Sequence, residues 1–182
     1  MHHTFSKLAT AFIALLILLY FSNRAPRTRY LDLTRVEDSL LKENANNSLS
    51  ELQRSYDDYS KNSAYNFPRQ PCKSVKLFNN NMFFKYLNAR ELKEQYVDSI
   101  LSFFNSPQNF DWAETTWGSS DADYIIHFID SDNYVIGKIW LCLADCNMVN
   151  STPFCPNMKF GHLDNKASKK IRRLLTDTSL WQ

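Results

Sequence analysis

Apolar positions run without a break across residues 8–21, LATAFIALLILLYF, and no charge interrupts them. A surface helix keeps one polar face, so a run that is apolar all round predicts a helix in a membrane or a protein core. Lys7 precedes the run, and Ser22, Asn23, Arg24, Pro26, Arg27 and Arg29 follow it. A spanning helix needs about 20 predominantly apolar residues. Counting back to Thr4 gives 18 residues and takes in Lys7, whose stem can lie along the helix while its ammonium reaches the interface. No Ala-x-Ala cleavage pattern follows, so residues 1–24 read as an uncleaved, single-pass signal-anchor helix, with a cleaved signal and a buried core helix as the alternatives.

Residues 25–70 read as a helical stalk and linker. Thr34 with Glu37, and Ser48 with Glu51, have the capping-box spacing, in which each side chain satisfies a backbone N–H left over at a helix start. Val36, Leu40 and Leu41 would line the first helix. Leu49, Leu52, Tyr56 and Tyr59 would form one stripe on the second. Pro68 and Pro71 close the segment as a linker.

The pattern changes from residue 71 onward. Alternating apolar and β-branched residues at 74–78 predict a strand, and Asn79, Asn80 and Asn81 a turn. Leu92, Tyr96, Ile100, Phe103 and Phe104 recur at helical spacing, and Asn88 with Glu91 forms a third cap-like pair. Together they predict a helix over residues 89–105, ending before Pro107. Residues 123–129 and 134–143 predict two strands joined by Asp130-Ser131-Asp132-Asn133, an antiparallel hairpin. Residues 150–157 read as a Pro-containing loop, and Asp164 as the cap of a last helix over 165–175 with Ile171, Leu174 and Leu175 on its apolar side. Residues 71–182 thus form an α+β domain: a small antiparallel sheet packed by helices.

Composition changes the picture in three respects. Apolar residues make up 44% of the 182-residue chain, enough for a packed core. The three glycines, Gly118, Gly137 and Gly161, lie too far apart for a phosphate-cradling loop, and no cofactor is expected. The net charge of +2 with mixed signs gives no footprint for nucleic acid.

The four cysteines, Cys72, Cys142, Cys146 and Cys155, have the even count of a disulfide-bonded exported domain. A local Cys146–Cys155 bridge, leaving Cys72–Cys142, is the preferred pairing. Free thiols are one alternative. A zinc site from Cys142, Cys146, Cys155 and His162 is another, although Cys155 and His162 lack the close spacing of a ligand pair. His127 is a candidate general base, with Asp121, Asp123 or Asp130 to orient it and Ser119, Ser120 or Cys142 as nucleophile. No nucleophile-elbow pattern surrounds those residues. The last helix carries Lys166, Lys169, Lys170, Arg172 and Arg173, a cluster suited to anionic headgroups or to a solvated face. Phe110, Trp112 and Trp117 stand among polar neighbours and are candidate interface anchors. Asn46-Asn47-Ser48 and Asn150-Ser151-Thr152 match the N-glycosylation pattern.

Orientation carries a conflict. Arg24, Arg27 and Arg29 outnumber Lys7 and the α-amino group, which by positive-inside counting places the domain in the cytoplasm. The cysteine parity favours export. The combined expectation is a membrane-held domain outside the cytoplasm, in a periplasm or lumen, that binds another protein and does not catalyse. An inhibitor, immunity-type or accessory envelope role would fit it. The competing expectations are an envelope hydrolase or thiol enzyme using His127, and a cytoplasm-facing protein whose basic last helix contacts lipid.

Overall fold

A computed structural model describes residues 2–31, 66–82, 84–112, 122–144, 146–155, 157–158 and 161–182. The capped stalk helices expected around Thr34 and Ser48 lie outside the described residues. The chain begins with helix α1, His2–Ser22. Its described side chains, Thr10 to Phe21, are exposed except for a half-buried Leu19. Among the described residues, no helix is long and apolar enough to cross a membrane.

The rest is α+β. Strands β1 (Ser74–Asn79), β2 (Arg90–Glu91), β3 (Phe110–Trp112), β4 (Tyr124–Ile129), β5 (Val135–Cys142), β6 (Met148–Thr152) and β7 (Gly161–Leu163) form one sheet. Its order is β2-β1-β4-β5-β6-β7-β3, and every pairing is antiparallel. Helices α2 (Val97–Asn105) and α3 (Asn165–Thr176) complete it.

The hairpin forms where the alternation placed it, with Ile126 opposite Ile139 and Phe128 opposite Gly137. The Asp130 carboxylate accepts from the N–H groups of Asp132 and Tyr134, an Asx-type closure of the turn. Residues in register share a face. One face carries Val75, Leu77, Ile126, Phe128, Ile139 and Leu141, all 1% exposed or less. Val97, Ile100, Phe103 and Phe104 of α2 and Ile171 and Leu175 of α3 belong to the same core. Phe128 meets Phe67 edge-on, with ring centroids 4.9 Å apart. Each such side chain contributes about 1.5–3 kcal/mol when fully buried. Asp164 caps α3 as the sequence indicates, accepting from the Ala167 N–H.

Three expectations need correction. The helix expected over 89–105 begins only at Val97. Arg90 and Glu91 pair with Leu77 and Lys76 instead, and the Leu92 N–H donates to the Val75 carbonyl. The Asn88 amide donates to the Phe84 carbonyl, and α2 starts without a side-chain cap. The expected loop at 150–157 gives its first part to β6, which pairs with β5 from Met148 to Thr152. The sheet is larger than expected, because β3 and β7 pair at its far edge.

Two segments border the opposite face, one paired at the edge of β5 through a parallel bridge between Thr28 and Val135, the other packed against Phe78 of β1. Residues 27–29 run along the start of β5: the Arg29 N–H donates to the Val135 carbonyl, and the Val135 N–H to the Arg27 carbonyl, both at 2.8 Å. Arg29 then pairs with Asp130 at 2.5 Å and Asp132 at 3.0 Å. The second segment is the stretch after β1, where Tyr86 packs edge-on against Phe78. Its backbone N–H donates to the Asn23 side chain at 3.2 Å, tying this stretch to the end of α1.

Candidate functional site

Beside these two segments lies a cleft of about 560 Å³. Arg24, Pro26, Tyr86, Glu91 and Glu94 line it together with Lys76 and Phe78 of β1. Lys76 and Glu91 approach to 3.5 Å with both side chains more than a third exposed, so the pair is screened and weakly stabilising. The cleft therefore presents both signs of charge beside aromatic faces, a surface suited to a polar segment of another molecule.

His127 lies beneath the cleft. It pairs with Lys76 across β1 and with Lys138 across β5, and it is 1% exposed. The Phe78 ring centre is 4.5 Å away and that of Tyr86 6.2 Å. Among the described residues neither ring nitrogen has a hydrogen-bond partner. Burial, then the charges of Lys138 and Lys85, push its pKa down to about 3. At neutral pH the imidazole is uncharged and packs as an aromatic plate. An effective general base titrates near the working pH and holds a hydrogen bond to its nucleophile; His127 does neither among the described residues.

The carboxylates proposed to orient it are occupied elsewhere. Asp123 accepts from the N–H groups of Leu143 and Ala144. Burial alone would raise the Asp130 pKa, but hydrogen bonds from the Tyr134 N–H, Arg29 and the Asp132 N–H outweigh it and hold the carboxyl below its ordinary range. Ser119, Ser120 and Asp121 lie outside the described residues.

The cysteines correct the expected pairing. Cys142 bonds to Cys146, with an S–S distance of 2.09 Å, and Cys72 and Cys155 are free. After β5 the chain turns back into β6, setting Met148 opposite Cys142 and bringing Cys146 within reach. Cys155 enters the core instead. Burial pushes the Cys155 thiol up to about 11, and the Cys72 thiol likewise. Thiols held that high are poor nucleophiles and poor metal ligands. The suggested zinc set is not assembled: among the described residues no group of three or more His, Cys, Asp or Glu could hold a metal ion. Opening the Cys142–Cys146 bond removes a loop of about four residues, worth roughly 2 kcal/mol by the chain-entropy relation. A Cys142→Ser/Cys146→Ser chain is accordingly expected to remain folded with a lowered urea midpoint and an unchanged slope.

The remaining candidates separate. Phe110 is buried at 4% exposure and is a core residue, not an interface anchor. Trp112 lies on β3 beside β7, and Trp117 lies outside the described residues. On α3, Lys166, Lys169, Lys170 and Arg173 line a shallow groove. Arg172 instead donates to the Leu143 carbonyl and to Asn147, so one of the five cations is structural. Asn150 sits half-buried on β6 opposite Trp140. The cleft was missed in the sequence, because it depends on contacts of Asn23 with Tyr86 and of residues 27–29 with residues 130–135 that no local pattern records. No family model matches the chain, and no curated protein or solved structure matches it significantly.

Proposed function

We propose that this chain is a single-pass membrane protein that displays its α+β domain outside the cytoplasm and acts by binding another protein. The observation that carries the reading is α1, whose apolar side chains from Phe12 to Phe21 are left uncovered by the domain to which it is joined. Left in water, so many exposed apolar side chains on one helix would drive association. Its 21 residues would measure about 30 Å, the thickness of the hydrocarbon layer. The uncharged run from Leu8 to Phe21, extended back to Thr4, counts 18 residues in the sequence, near the lower bound for a spanning helix.

The Cys142–Cys146 bond supports an oxidising compartment. Arg29, one of the three cations behind the apolar run, is engaged by Asp130 and Asp132. The mixed-charge cleft is the proposed partner surface. A catalytic role finds less support, since His127 is neutral and unpartnered and both free thiols are held protonated.

Alkaline-carbonate extraction of expressed full-length chain tests the anchor. The chain should stay in the membrane pellet, and a version starting at Arg24 should move to the supernatant. Full-length chain in the supernatant contradicts the reading. For the partner surface, a photo-crosslinking residue at Glu94 should trap one discrete protein adduct in native membranes, and a uniform smear or no adduct contradicts it.

A further inference from the structure

A second hydrophobic surface stands next to the end of α1. Met82, Phe84 and Leu87 are 47%, 39% and 41% exposed, although large apolar residues usually go inside. They belong to the stretch whose Tyr86 N–H is held by Asn23, the first residue after α1. The last turn of α1 has the chemistry of a membrane–water boundary. Tyr20 and Phe21 are exposed there, and the Arg24 guanidinium lies 4.7 Å from the Phe21 ring centre and 5.6 Å from that of Tyr20. Aromatic rings with a neighbouring cation favour the headgroup level of a bilayer. Lys85 adds a second cation within the stretch itself, its ammonium steadied by the Asn80 side chain at 2.9 Å.

We infer that Met82, Phe84 and Leu87 form a second membrane contact, lying in the boundary between headgroups and acyl chains of the same bilayer that holds α1. The occupant is lipid and not a protein groove-binder, because the Asn23–Tyr86 hydrogen bond keeps this patch beside the point where the helix leaves the bilayer. Apolar side chains flanked by cations bind that boundary through buried apolar area and attraction to anionic headgroups. The contact would hold the domain against the membrane surface instead of letting it swing on α1. The inference rests on the membrane-anchor reading.

The test uses the full chain in nanodiscs of mixed zwitterionic and anionic phospholipid. A benzophenone amino acid replaces Leu16 in α1, Phe84 or Leu87 in the patch, or Lys166 on α3, each exposed. After irradiation, mass spectrometry reads phospholipid adducts. Expected are adducts at Leu16, Phe84 and Leu87, with yields in the patch about ten-fold above Lys166. Adducts at Leu16 with none at Phe84 or Leu87 overturn the second contact and leave the anchor standing. Equal yields at Lys166 and the patch also overturn it, since contact would then be nonspecific. No adduct at Leu16 removes the anchor and the inference together.

Discussion

Gly137→Ala is expected to destabilise the domain by about 3 kcal/mol, the upper range for overpacking a closed core. Gly137 lies on β5 opposite Phe128. A Cβ placed there would come within 2.5 Å of the Phe67 ring and 2.7 Å of the Pro68 Cβ. Neither neighbour yields easily. Phe67 is 2% exposed, its ring packs against Phe128, and its backbone is held on both sides by the Asn105 amide. The missing side chain is thus filled from residues 67 and 68. Phe67→Ala alone should cost about 4 kcal/mol, as large-to-small aromatic changes do in cores. The double variant should cost less than the sum, because removing the ring relieves part of the clash and residues in contact couple. Urea unfolding of the four chains measures this. A strictly additive result would show that residue 137 and the Phe67 ring do not meet.

The second large effect is acid sensitivity. His127 carries a pKa of about 3 when folded against about 6.5 when unfolded. Between those values the unfolded chain binds a proton that the native chain does not. Stability therefore falls as pH falls through that window. From pH 7 to pH 5 the loss should be about 2 kcal/mol, at about 1.4 kcal/mol per pH unit. The groups packed around the ring oppose protonation: Lys138 and Lys85 carry like charge, and Phe78 and Tyr86 offer no acceptor at the ring nitrogens. His127→Leu should be at least as stable as the parent at pH 7, because it removes two unsatisfied buried nitrogens. It should also lose the extra slope between pH 5 and pH 7. Parallel curves for parent and variant across that range would show that the ring is solvated.

Several parts of this architecture are written in local pattern. The hairpin follows from alternation around an Asp-Ser-Asp-Asn turn, and α3 from a helical period behind the Asp164 cap. The stretch before α2 misled because Leu92 and Tyr96 have helical spacing, while the backbone at 90–92 is used by β1 and by the C-terminal residues. The Glu91 and Gln182 backbones exchange two hydrogen bonds, and Leu92 bridges to Trp181. Such pairings link residues about ninety positions apart in the sequence. The edge strands β3 and β7 are three residues each, too short for periodicity to register. Phe110 looked exposed among polar neighbours, yet it sits opposite Leu163 and against Gly161. The disulfide depended on how tightly the chain turns after β5, which cysteine spacing alone does not say. His127 was visible as a lone strand histidine, but its two unbonded nitrogens and its lysine neighbours come from strand register.

Whether the domain is membrane-held and faces an oxidising compartment is tested most directly by a thiol count. Full-length chain is expressed with its own N-terminus, denatured, and tagged with a maleimide–polyethylene glycol before and after reduction. A second sample carries Lys166→Cys, at an exposed position on α3, and is labelled in intact cells with a membrane-impermeant maleimide. With Cys142 bonded to Cys146 and Cys72 and Cys155 free, the account predicts two tags before reduction, four after it, and labelling of the introduced cysteine in intact cells. Four tags without reductant, together with an introduced cysteine that reacts only after the cells are opened, would place the domain in the cytoplasm and contradict it.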